Sequence, residues 1–381
     1  MGQMPSGADR RLRIAIASTG RFHVLDLARE LLARGHEVRF YAHVPPARAE
    51  QFGLARETVV PLTAAAAPWI AWQRYLPKLA PALRKRLYFR TLNRAVVQRL
   101  TPCDVFIAMS GVYLEAAEHA QKTFGAKIFL ERGSMHVDAQ QEILSKVTTL
   151  GRDAEITRQR ETAGYALADR IVVPSDHAAT SFKREAGLFS KVVTVPYGVD
   201  LDMFPARTPP ATVPQQVLFV GNWTYQKGVD YLVEAIDRLE DVELMHVGSL
   251  GDAPFPNRKG FTHHDPVDQK ALGEFYRAAG VFVLASRQDG FGLVLLQALA
   301  SDLPVIASDH TGGPTILAQW PRLADRVQVF PVGDVAALSA KIRQMLCSPP
   351  DPITPELRKS IGWVGYGVRY ERALFDALGE A

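Results

Sequence analysis

The sequence predicts two α/β domains, each with a Rossmann-like parallel sheet, that face each other across a cleft. Two observations support this prediction. The chain has 381 residues, which is more than one hydrophobic core usually supports. Buried-strand patterns also alternate with helical patterns in two successive series, and a proline-rich stretch at 203–216 separates the first series from the second. Such alternation is typical of parallel sheets covered by helices.

The first series opens with a strand, a helix and a second strand. An apolar run with small residues at its end, RIAIAST, begins at Arg13. Leu25, Leu31 and Leu32 then keep helical spacing, and Gly35 is placed to end that helix. Further buried-strand patterns occur in DVFIAMS, AKIFLERGS, DRIVVPS and KVVTVPYGVD. We therefore expect the first domain at residues 1–205.

The second series restarts after the proline-rich stretch, which we interpret as an interdomain connector. Strand patterns occur in QVLFVGN, VELMHVGS, VFVLAS, LPVIASD and VQVFPVGD, with helical patterns between them. We expect this second domain at residues 206–365. The last helical pattern, at 366–381, is expected to form a C-terminal helix that packs back on the first domain.

Composition favours a globular protein of the cytoplasm. The apolar fraction is 47% and the charged fraction 22%, as in soluble domains. Cys103 and Cys347 are far apart and form no metal-binding or redox spacing, which fits a reducing compartment. The first residues hold no apolar run long enough for a signal peptide or a spanning helix.

The positive charge of the chain is concentrated in one segment. Although the net charge is +4, no Asp or Glu occurs from Thr58 to Cys103. Aromatic and aliphatic residues alternate there with the basic residues Arg74, Lys78, Arg84, Lys85, Arg86, Arg90, Arg94 and Arg99. This pattern suits an anionic membrane surface, so we predict peripheral contact with the inner membrane face through residues 69–99. An ordinary helix pair with its apolar side in the core is the alternative. No nucleic-acid-binding motif accompanies the charge.

Three loops of the second half are expected to hold a ligand. Parallel sheets bind ligands beyond the carboxyl ends of their strands, where helix N-termini present backbone N–H groups. One loop contains Gly221 and Lys227, a second contains Gly290 and Gly292, and a third spans 308–314. A lysine before a helix can neutralise a diphosphate. Metal-binding acidic pairs are absent from these loops, so we expect no required metal or other cofactor.

Asp289 and Gln297 lie eight positions apart, on the two sides of this second glycine turn. Asp289 precedes the turn, and Gln297 lies inside the helix that should begin near Leu293. If phosphates rest on the helix N-terminus, these two side chains can bind hydroxyl groups at the two ends of one ligand. A sugar nucleotide has this layout of sugar, diphosphate and ribose.

Several of these segments together resemble the family 4 glycosyltransferases, which have the two-domain GT-B fold. The matching segments include VLFVGNWTYQKGVDYLVEAI, SRQDGFGLVLLQALASDLPVIAS, ADRIVVPSDHAATSFKREAG and RGHEVRFYA. Motifs in one order along a chain are more specific than a single glycine pattern. The resemblance implies transfer of a sugar, with retention of configuration, from a nucleoside-diphosphate sugar to a lipid-linked or saccharide acceptor. Assembly of a surface polysaccharide or glycolipid would be a fitting role.

The resemblance also implies roles for individual residues. Asp289 would contact the donor sugar, Gln297 the ribose and Lys227 the diphosphate, while His136 would lie near the transferred carbon. The remaining expected contacts to the nucleotide sugar are Gly20, Gly221, Asn222, Gly290, Phe291, Gly292 and Leu293. Glu131 and Arg132 remain alternatives for contacts near His136, and His23 is a further candidate.

This chain departs from the family pattern at three of these positions. Asp289 and Gln297 stand where the family has glutamates, and Asn222 stands where it usually has an arginine. Two other interpretations therefore stay open. The chain could be a non-catalytic module that binds sugar nucleotides, or another GT-B enzyme such as an epimerase or a phosphorylase.

Overall fold

The computed structural model describes residues 10–76, 79–149, 151, 154–208 and 212–379. Lys78 of the basic segment and residues 209–211 of the proline-rich stretch lie outside the described residues. The described chain forms two parallel sheets with helices on both faces, one in each half. The predicted fold class is therefore confirmed.

The first sheet has seven strands in the order β3-β2-β1-β4-β5-β6-β7. Every neighbouring pair is parallel. This order reverses beside β1, which creates the crevice where such sheets bind ligands. The strands are β1 (Arg13–Ser18), β2 (Glu37–Ala42), β3 (Val59–Pro61), β4 (Val105–Met109), β5 (Lys127–Glu131), β6 (Arg170–Val173) and β7 (Val192–Thr194).

Helices connect these strands and cover both faces of the sheet. The first keeps Leu25, Leu27 and Leu31 buried, as the helical spacing predicts, while Leu32 is partly buried. The helices are α1 (Phe22–Ala33), α2 (Pro46–Glu50), α3 (Thr63–Tyr75), α4 (Pro81–Val97), α5 (Leu114–Phe124), α6 (Val137–Ser145), α7 (Ala154–Leu167) and α8 (Asp176–Thr180).

The second sheet repeats the same topology with six parallel strands, in the order β10-β9-β8-β11-β12-β13. Its strands are β8 (Gln216–Val220), β9 (Glu243–Val247), β10 (Phe261–His264), β11 (Val281–Leu284), β12 (Val305–Ser308) and β13 (Val327–Phe330). The helices that accompany them are α9 (Val229–Asp237), α10 (Leu272–Ala278), α11 (Leu293–Ala300), α12 (Gly313–Gln319), α13 (Val335–Cys347) and α14 (Pro355–Ser360). β10, which the sequence analysis does not contain, is a short edge strand with only partly buried residues.

The last helix, α15 (Trp363–Leu378), packs against α1 of the first sheet. The two helices approach closely because Gly367 has no side chain: a Cβ there would lie 2.7 Å from Cβ of Glu30. His36 Nε2 also lies 3.0 Å from a carboxylate oxygen of Glu371. The last helix thus carries side chains to the first domain, although the domain boundaries at 205 and 365 stay predictions.

The basic segment folds as the helix pair α3 and α4. Several large apolar side chains of this segment are more than half exposed, which are Ile70, Tyr75, Leu76, Leu79 and Leu83. In the part of the chain that the structure describes, no helix combines the length and the apolar character needed to cross a bilayer.

Candidate active site

A cavity of about 1380 Å³ lies between the two domains. Loops at the carboxyl ends of strands from both sheets line it, as the shared topology requires. The structure brings eight of the predicted site residues to this cleft: Gly221, Asn222, Lys227, Asp289, Phe291, Gly292, Leu293 and Gln297. It does not bring Gly20, Gly290 or His136 into the cavity lining.

Lys227 and Asp289 form an ion pair in the wall made by the second domain. Nζ of Lys227 donates to Oδ2 of Asp289 at 2.6 Å, and both side chains are mostly buried. Gly228 follows the lysine with φ +65°, and a Cβ there would lie 2.0 Å from the carbonyl oxygen of Ala285. Glycine therefore allows the loop after β8 to press against the end of β11, which brings the lysine to the aspartate.

This ion pair was not expected from sequence, and it affects how each of the two residues can bind a ligand. From sequence, Lys227 is expected to bind the diphosphate and Asp289 the donor sugar. In the structure the lysine is already neutralised by the aspartate, whose other oxygen accepts from the backbone N–H of Phe291 at 3.3 Å. A diphosphate would therefore compete with Asp289 for the lysine.

The glycine turn before α11 positions backbone N–H groups at the cleft. Gly292 caps the helix with φ +80°, and a Cβ there would lie 2.4 Å from Cδ2 of Leu284. A larger residue would be strained in this conformation and would collide with the end of β11. Phe291, Gly292 and Leu293 all line the cavity, so their N–H groups and the helix dipole can stabilise an anion.

Gln297 lies one turn further along α11 and is mostly buried in the same wall. Its Oε1 accepts a hydrogen bond from the hydroxyl of Tyr276 at 2.9 Å. The predicted position of the side chain at the cleft fits the structure, whereas its partner on α10 was not foreseen from sequence.

Gly290 lies at the contact between the two domains. A Cβ there would lie 1.8 Å from the carbonyl oxygen of Gly133 in the first domain. The carbonyl oxygen of Gly290 also accepts from Oγ of Ser175 at 2.6 Å. The glycine thus permits contact between the backbones of the two domains, and it is not among the residues that line the cavity. Nearby, Nε2 of Gln288 donates to Oγ of Ser134 at 2.7 Å across the same interface.

Gly20 also stands back from the cavity. Arg21 and Phe22, which follow it, line the cleft in its place. Gly20 is held in a tight turn in which its N–H and carbonyl oxygen both bond to Oγ of Ser18. This turn directs the N-terminal end of α1 toward the cleft, so the loop reaches the cavity through the residues after the glycine.

His136 is buried and is not among the residues that line the cavity, so its expected place near the transferred carbon stays a prediction. Its ring packs against Tyr165 and Phe182, with centroid distances of 5.0 and 5.2 Å. Nδ1 accepts from the backbone N–H of Asp138 at 3.2 Å and so caps α6. Burial lowers the pKa of this imidazole. A histidine that precedes a helix can serve as its cap, and here that structural role accounts for its position.

Two family models match the chain in the two halves that the sheets define. A "Glycosyl transferase 4-like domain" matches residues 19–198, and "Glycosyl transferases group 1" matches residues 214–348. The chain belongs to the family 4 glycosyltransferases. Its membership makes it an enzyme of the transferase class, and it does not favour a non-catalytic module, an epimerase or a phosphorylase.

Curated relatives of this glycosyltransferase match it in part. D-inositol 3-phosphate glycosyltransferase of Xylanimonas cellulosilytica is 30% identical over 181 residues, which are 40% of this chain and 43% of that protein. The second such enzyme of Catenulispora acidiphila is 30% identical over 217 residues, which are 49% of this chain and 50% of that protein. The chain thus matches about half the length of these relatives or less.

Solved structures match this glycosyltransferase over nearly its whole length. Sucrose-phosphate synthase of Thermosynechococcus elongatus has a TM-score of 0.69 at 19% identity, and the match covers 97% of this chain and 100% of that one. HepE of Anabaena, solved with UDP and glucose, has a TM-score of 0.65 at 14% identity, with 96% and 99% covered. At these identities the likeness establishes the GT-B fold.

The first-domain wall of this glycosyltransferase contains a buried carboxylate, Glu131, at the end of β5. One oxygen lies 2.7 Å from Nε2 of His23, and the other accepts from the hydroxyl of Tyr370 at 2.5 Å. The ring of His23 packs against Tyr197 at a centroid distance of 4.4 Å and a tilt of 36°, and both His23 and Glu131 line the cleft. These two residues, which were further candidates from sequence, therefore lie together in the first-domain wall of the cavity.

Asp26 is a further acidic group at this wall. It lies one helical turn after His23 in α1 and lines the same cavity. Burial raises the pKa of its carboxyl to about 6, although Arg29, 3.0 Å away, pulls the pKa down. Neither the burial of Asp26 nor its place in the cleft is evident from the amphipathic pattern of α1.

Arg132, the third alternative, also reaches the cleft. Its guanidinium lies 3.4 Å from Glu161 and donates to Gln140 at 2.6 Å. Among the residues that the structure describes, no cluster of three or more His, Cys, Asp or Glu side chains is arranged to hold a metal ion.

Proposed function

We propose that this glycosyltransferase moves a sugar from a nucleoside-diphosphate sugar to an acceptor hydroxyl, with retention of configuration and without a required metal ion or other cofactor. The observation that carries the proposal is the meeting of three groups at one point of the cleft. These are Lys227, Asp289 and the glycine-capped start of α11. The structurally similar HepE, which was solved with UDP and glucose and with UDP-glucose, supports a nucleotide donor.

The charges of the second-domain wall suit departure of a diphosphate. As the bond between the sugar carbon and the phosphate oxygen breaks, negative charge grows on the diphosphate. Lys227 and the N–H groups of Phe291 and Leu293 lie at the cleft before that charge forms, and the diphosphate would draw Lys227 and the Phe291 N–H away from Asp289. The acceptor oxygen forms its bond to the same face of the sugar, and its proton passes to the departing phosphate oxygen.

Asp289 is suited to hold the sugar through its hydroxyl groups. Its carboxylate lies beside both Lys227 and the N–H of Phe291, so a sugar bound to it would adjoin the diphosphate. Gln297, one turn along α11, is suited to hold the ribose at the other end. The acceptor would enter from the opposite wall, where Glu131 and His23 lie.

The helix pair α3–α4 supports an acceptor held at a membrane on the cytoplasmic side, as in surface polysaccharide or glycolipid assembly. Exposed Ile70 and Leu83 lie among basic residues that have no acidic neighbour in the segment. The pair is also connected to the cleft: Arg160 stacks on Phe89 of α4 at 4.6 Å and donates to the carbonyl oxygen of Gly111 at 2.8 Å. Ser110, which immediately precedes Gly111, lines the cavity.

A thermal-shift panel tests the donor. UDP-, GDP-, ADP- and dTDP-sugars are each added to the protein, and a bound donor should raise the melting temperature according to its affinity. The stabilising donor is then supplied in radiolabelled form with candidate lipid-linked and saccharide acceptors, and label should appear in the product with the original anomeric configuration. Stabilisation by no sugar nucleotide would contradict the proposed donor class, and binding without transfer to any acceptor would contradict the proposed reaction.

Charge reversal tests the membrane contact. The triple variant Arg84→Glu, Lys85→Glu and Arg86→Glu should lose binding to vesicles of phosphatidylglycerol and activity on a lipid-linked acceptor. A matched control reverses three exposed charges elsewhere, at Lys259, Arg322 and Arg343. The control should bind vesicles as the unchanged protein does, because the interaction depends on charge near the surface. Equal vesicle binding by both triple variants would contradict the membrane role.

A further inference from the structure

The hydroxyl of Tyr276 lies behind Gln297, inside the second domain. Tyr276 is fully buried on α10, and its ring packs against Phe204 and Phe282 at centroid distances of 5.8 and 5.9 Å. Packing on both rings holds the phenol in place. Its hydroxyl donates to Oε1 of Gln297 at 2.9 Å, so α10 and α11 are joined at this point.

This hydrogen bond selects one orientation of the glutamine amide. The oxygen and the nitrogen of an amide are similar in shape but opposite in hydrogen bonding. Gln297 is the only hydrogen-bond partner of the Tyr276 hydroxyl in the described part of the chain, so the hydroxyl proton needs the amide oxygen. Burial also raises the pKa of this phenol, which keeps the proton in place.

The amide nitrogen of Gln297 is therefore the polar group left for the cleft. It has no hydrogen-bond partner within the described residues, and the side chain lines the cavity. A glutamate at this position would offer only acceptors, whereas this amide offers two N–H donors. A ligand oxygen that meets this nitrogen accepts a hydrogen bond from it.

We propose that Tyr276 is a positioning residue that fixes the amide of Gln297 as a hydrogen-bond donor to a ribose oxygen of the nucleotide sugar. This inference rests on the proposed function, because it assumes that a nucleotide occupies the cleft. It assigns a specificity role to a side chain that does not itself reach the ligand.

Nucleotide binding to the full chain tests the inference by calorimetry. UDP, GDP and ADP are compared first, and the tightest is then measured with its 2′-deoxy and 3′-deoxy forms. Tyr276→Phe should raise the Kd of the ribonucleotide roughly five- to tenfold, as expected for one misplaced hydrogen bond. It should change the Kd less than twofold for the deoxy form that lacks the contacted oxygen. Equal changes for all forms, or no change, would overturn the inference.

A double variant separates positioning from a structural effect. Gln297→Met alone should abolish the difference between ribose and deoxyribose forms, and adding Tyr276→Phe to it should leave Kd unchanged within about twofold. A further loss in that background would overturn the inference, because the phenol would then act without the amide. Tyr41→Phe is the matched control: Tyr41 is buried in the first domain and donates to the carbonyl oxygen of Arg99 at 3.2 Å. Its Kd should equal that of the unchanged protein.

The proposed function can fail separately. If the unchanged protein binds none of the three nucleoside diphosphates, the donor class is wrong and the inference falls with it. If it binds one of them without the effects of Tyr276→Phe described above, only the inference is wrong.

Discussion

The two walls of the cleft hold their polar groups in different ways. On the second-domain wall, Lys227 and Asp289 follow the adjacent strands β8 and β11 and pair directly. On the first-domain wall, Glu131 is held by His23 and by Tyr370, which are 108 and 239 residues away along the chain. One wall is set by the turns of a single sheet, whereas the other requires the two ends of the chain to meet.

This difference predicts different consequences of substitution. The second-domain groups are partly accessible and supported by backbone turns, so their loss should impair chemistry more than folding. The first-domain groups form a buried set in which each oxygen of Glu131 has a partner. Removal of one member leaves another unpaired, which costs free energy of folding as well as function.

The largest effect on catalysis is expected at Lys227. Lys227→Met keeps much of the length of the side chain but removes its charge. We expect kcat/KM for the nucleotide sugar to fall about a hundredfold to a thousandfold, as when other pre-arranged groups that stabilise transition-state charge are removed. The melting temperature should fall by only a few degrees, because Asp289 loses its ion-pair partner but keeps the hydrogen bond from the backbone N–H of Phe291. Steady-state kinetics and thermal unfolding check both expectations.

Asp289→Asn is the counterpart on the same wall. It removes the carboxylate that competes for Lys227, so a nucleoside diphosphate without sugar should bind more tightly, by a few-fold, because a partner of the lysine is lost. Sugar transfer should nonetheless fall. Unchanged or weaker binding of the nucleoside diphosphate would contradict the competition inferred from the 2.6 Å ion pair.

The second largest effect is expected at Glu131. Glu131→Gln keeps the shape of the side chain but replaces one acceptor oxygen by an N–H₂ group. The single remaining oxygen cannot take the place of both carboxylate oxygens, so the contact with either His23 or Tyr370 is lost. We expect about 1–3 kcal/mol of lost unfolding free energy and a rise of about tenfold in the KM of the acceptor. The Kd of the nucleotide should stay the same. A selective loss of nucleotide binding would show that this wall serves the donor and not the acceptor.

These contrasts also explain which parts of the molecule could be predicted from sequence. Except for the short edge strands β3 and β10, the strands and the Lys227, Gly292 and Asp289 loops follow from local patterns, because a buried strand and a glycine turn are specified within a few residues. The contact of Tyr370 with Glu131 joins elements that no local pattern connects. The contact of Gly290 with Gly133 was missed for a related reason: a glycine indicates a close approach, but the sequence does not say whether a ligand or another backbone approaches.

A third effect concerns stability and pH. The folded protein holds the proton of Asp26 up to about pH 6, whereas an unfolded Asp titrates near 4. The folded state therefore binds more protons between these values, and the unfolding free energy should fall as pH rises from about 4 to about 6. Since a fifth of the side chain is exposed, we expect a change of about 1–2 kcal/mol.

Denaturant unfolding at several pH values, with Asp26→Asn beside the unchanged protein, isolates this contribution. The unfolding free energy of Asp26→Asn should lack the fall between about pH 4 and about pH 6. Its stability relative to the unchanged protein should therefore increase as the pH rises. Asp104→Asn is the matched control, because a hydrogen bond from Arg13 lowers the pKa of Asp104. Its stability relative to the unchanged protein should therefore change with pH in the opposite direction, and should decrease as the pH rises. Parallel stability curves for Asp26→Asn and the unchanged protein would show that Asp26 titrates normally.

The smallest effect on activity is expected at His136. An asparagine there can still cap α6, so His136→Asn should keep the helix start and lose only the contacts of the ring with Tyr165 and Phe182. We expect the melting temperature to fall by a few degrees, while kcat/KM stays within about threefold because the ring does not line the cleft. His23→Asn, measured in the same assay, should instead raise the KM of the acceptor as Glu131→Gln does. If His136→Asn abolished transfer while nucleotide binding stayed intact, the position implied by the family resemblance would be correct, and the cleft would have to rearrange during the reaction to admit this buried ring.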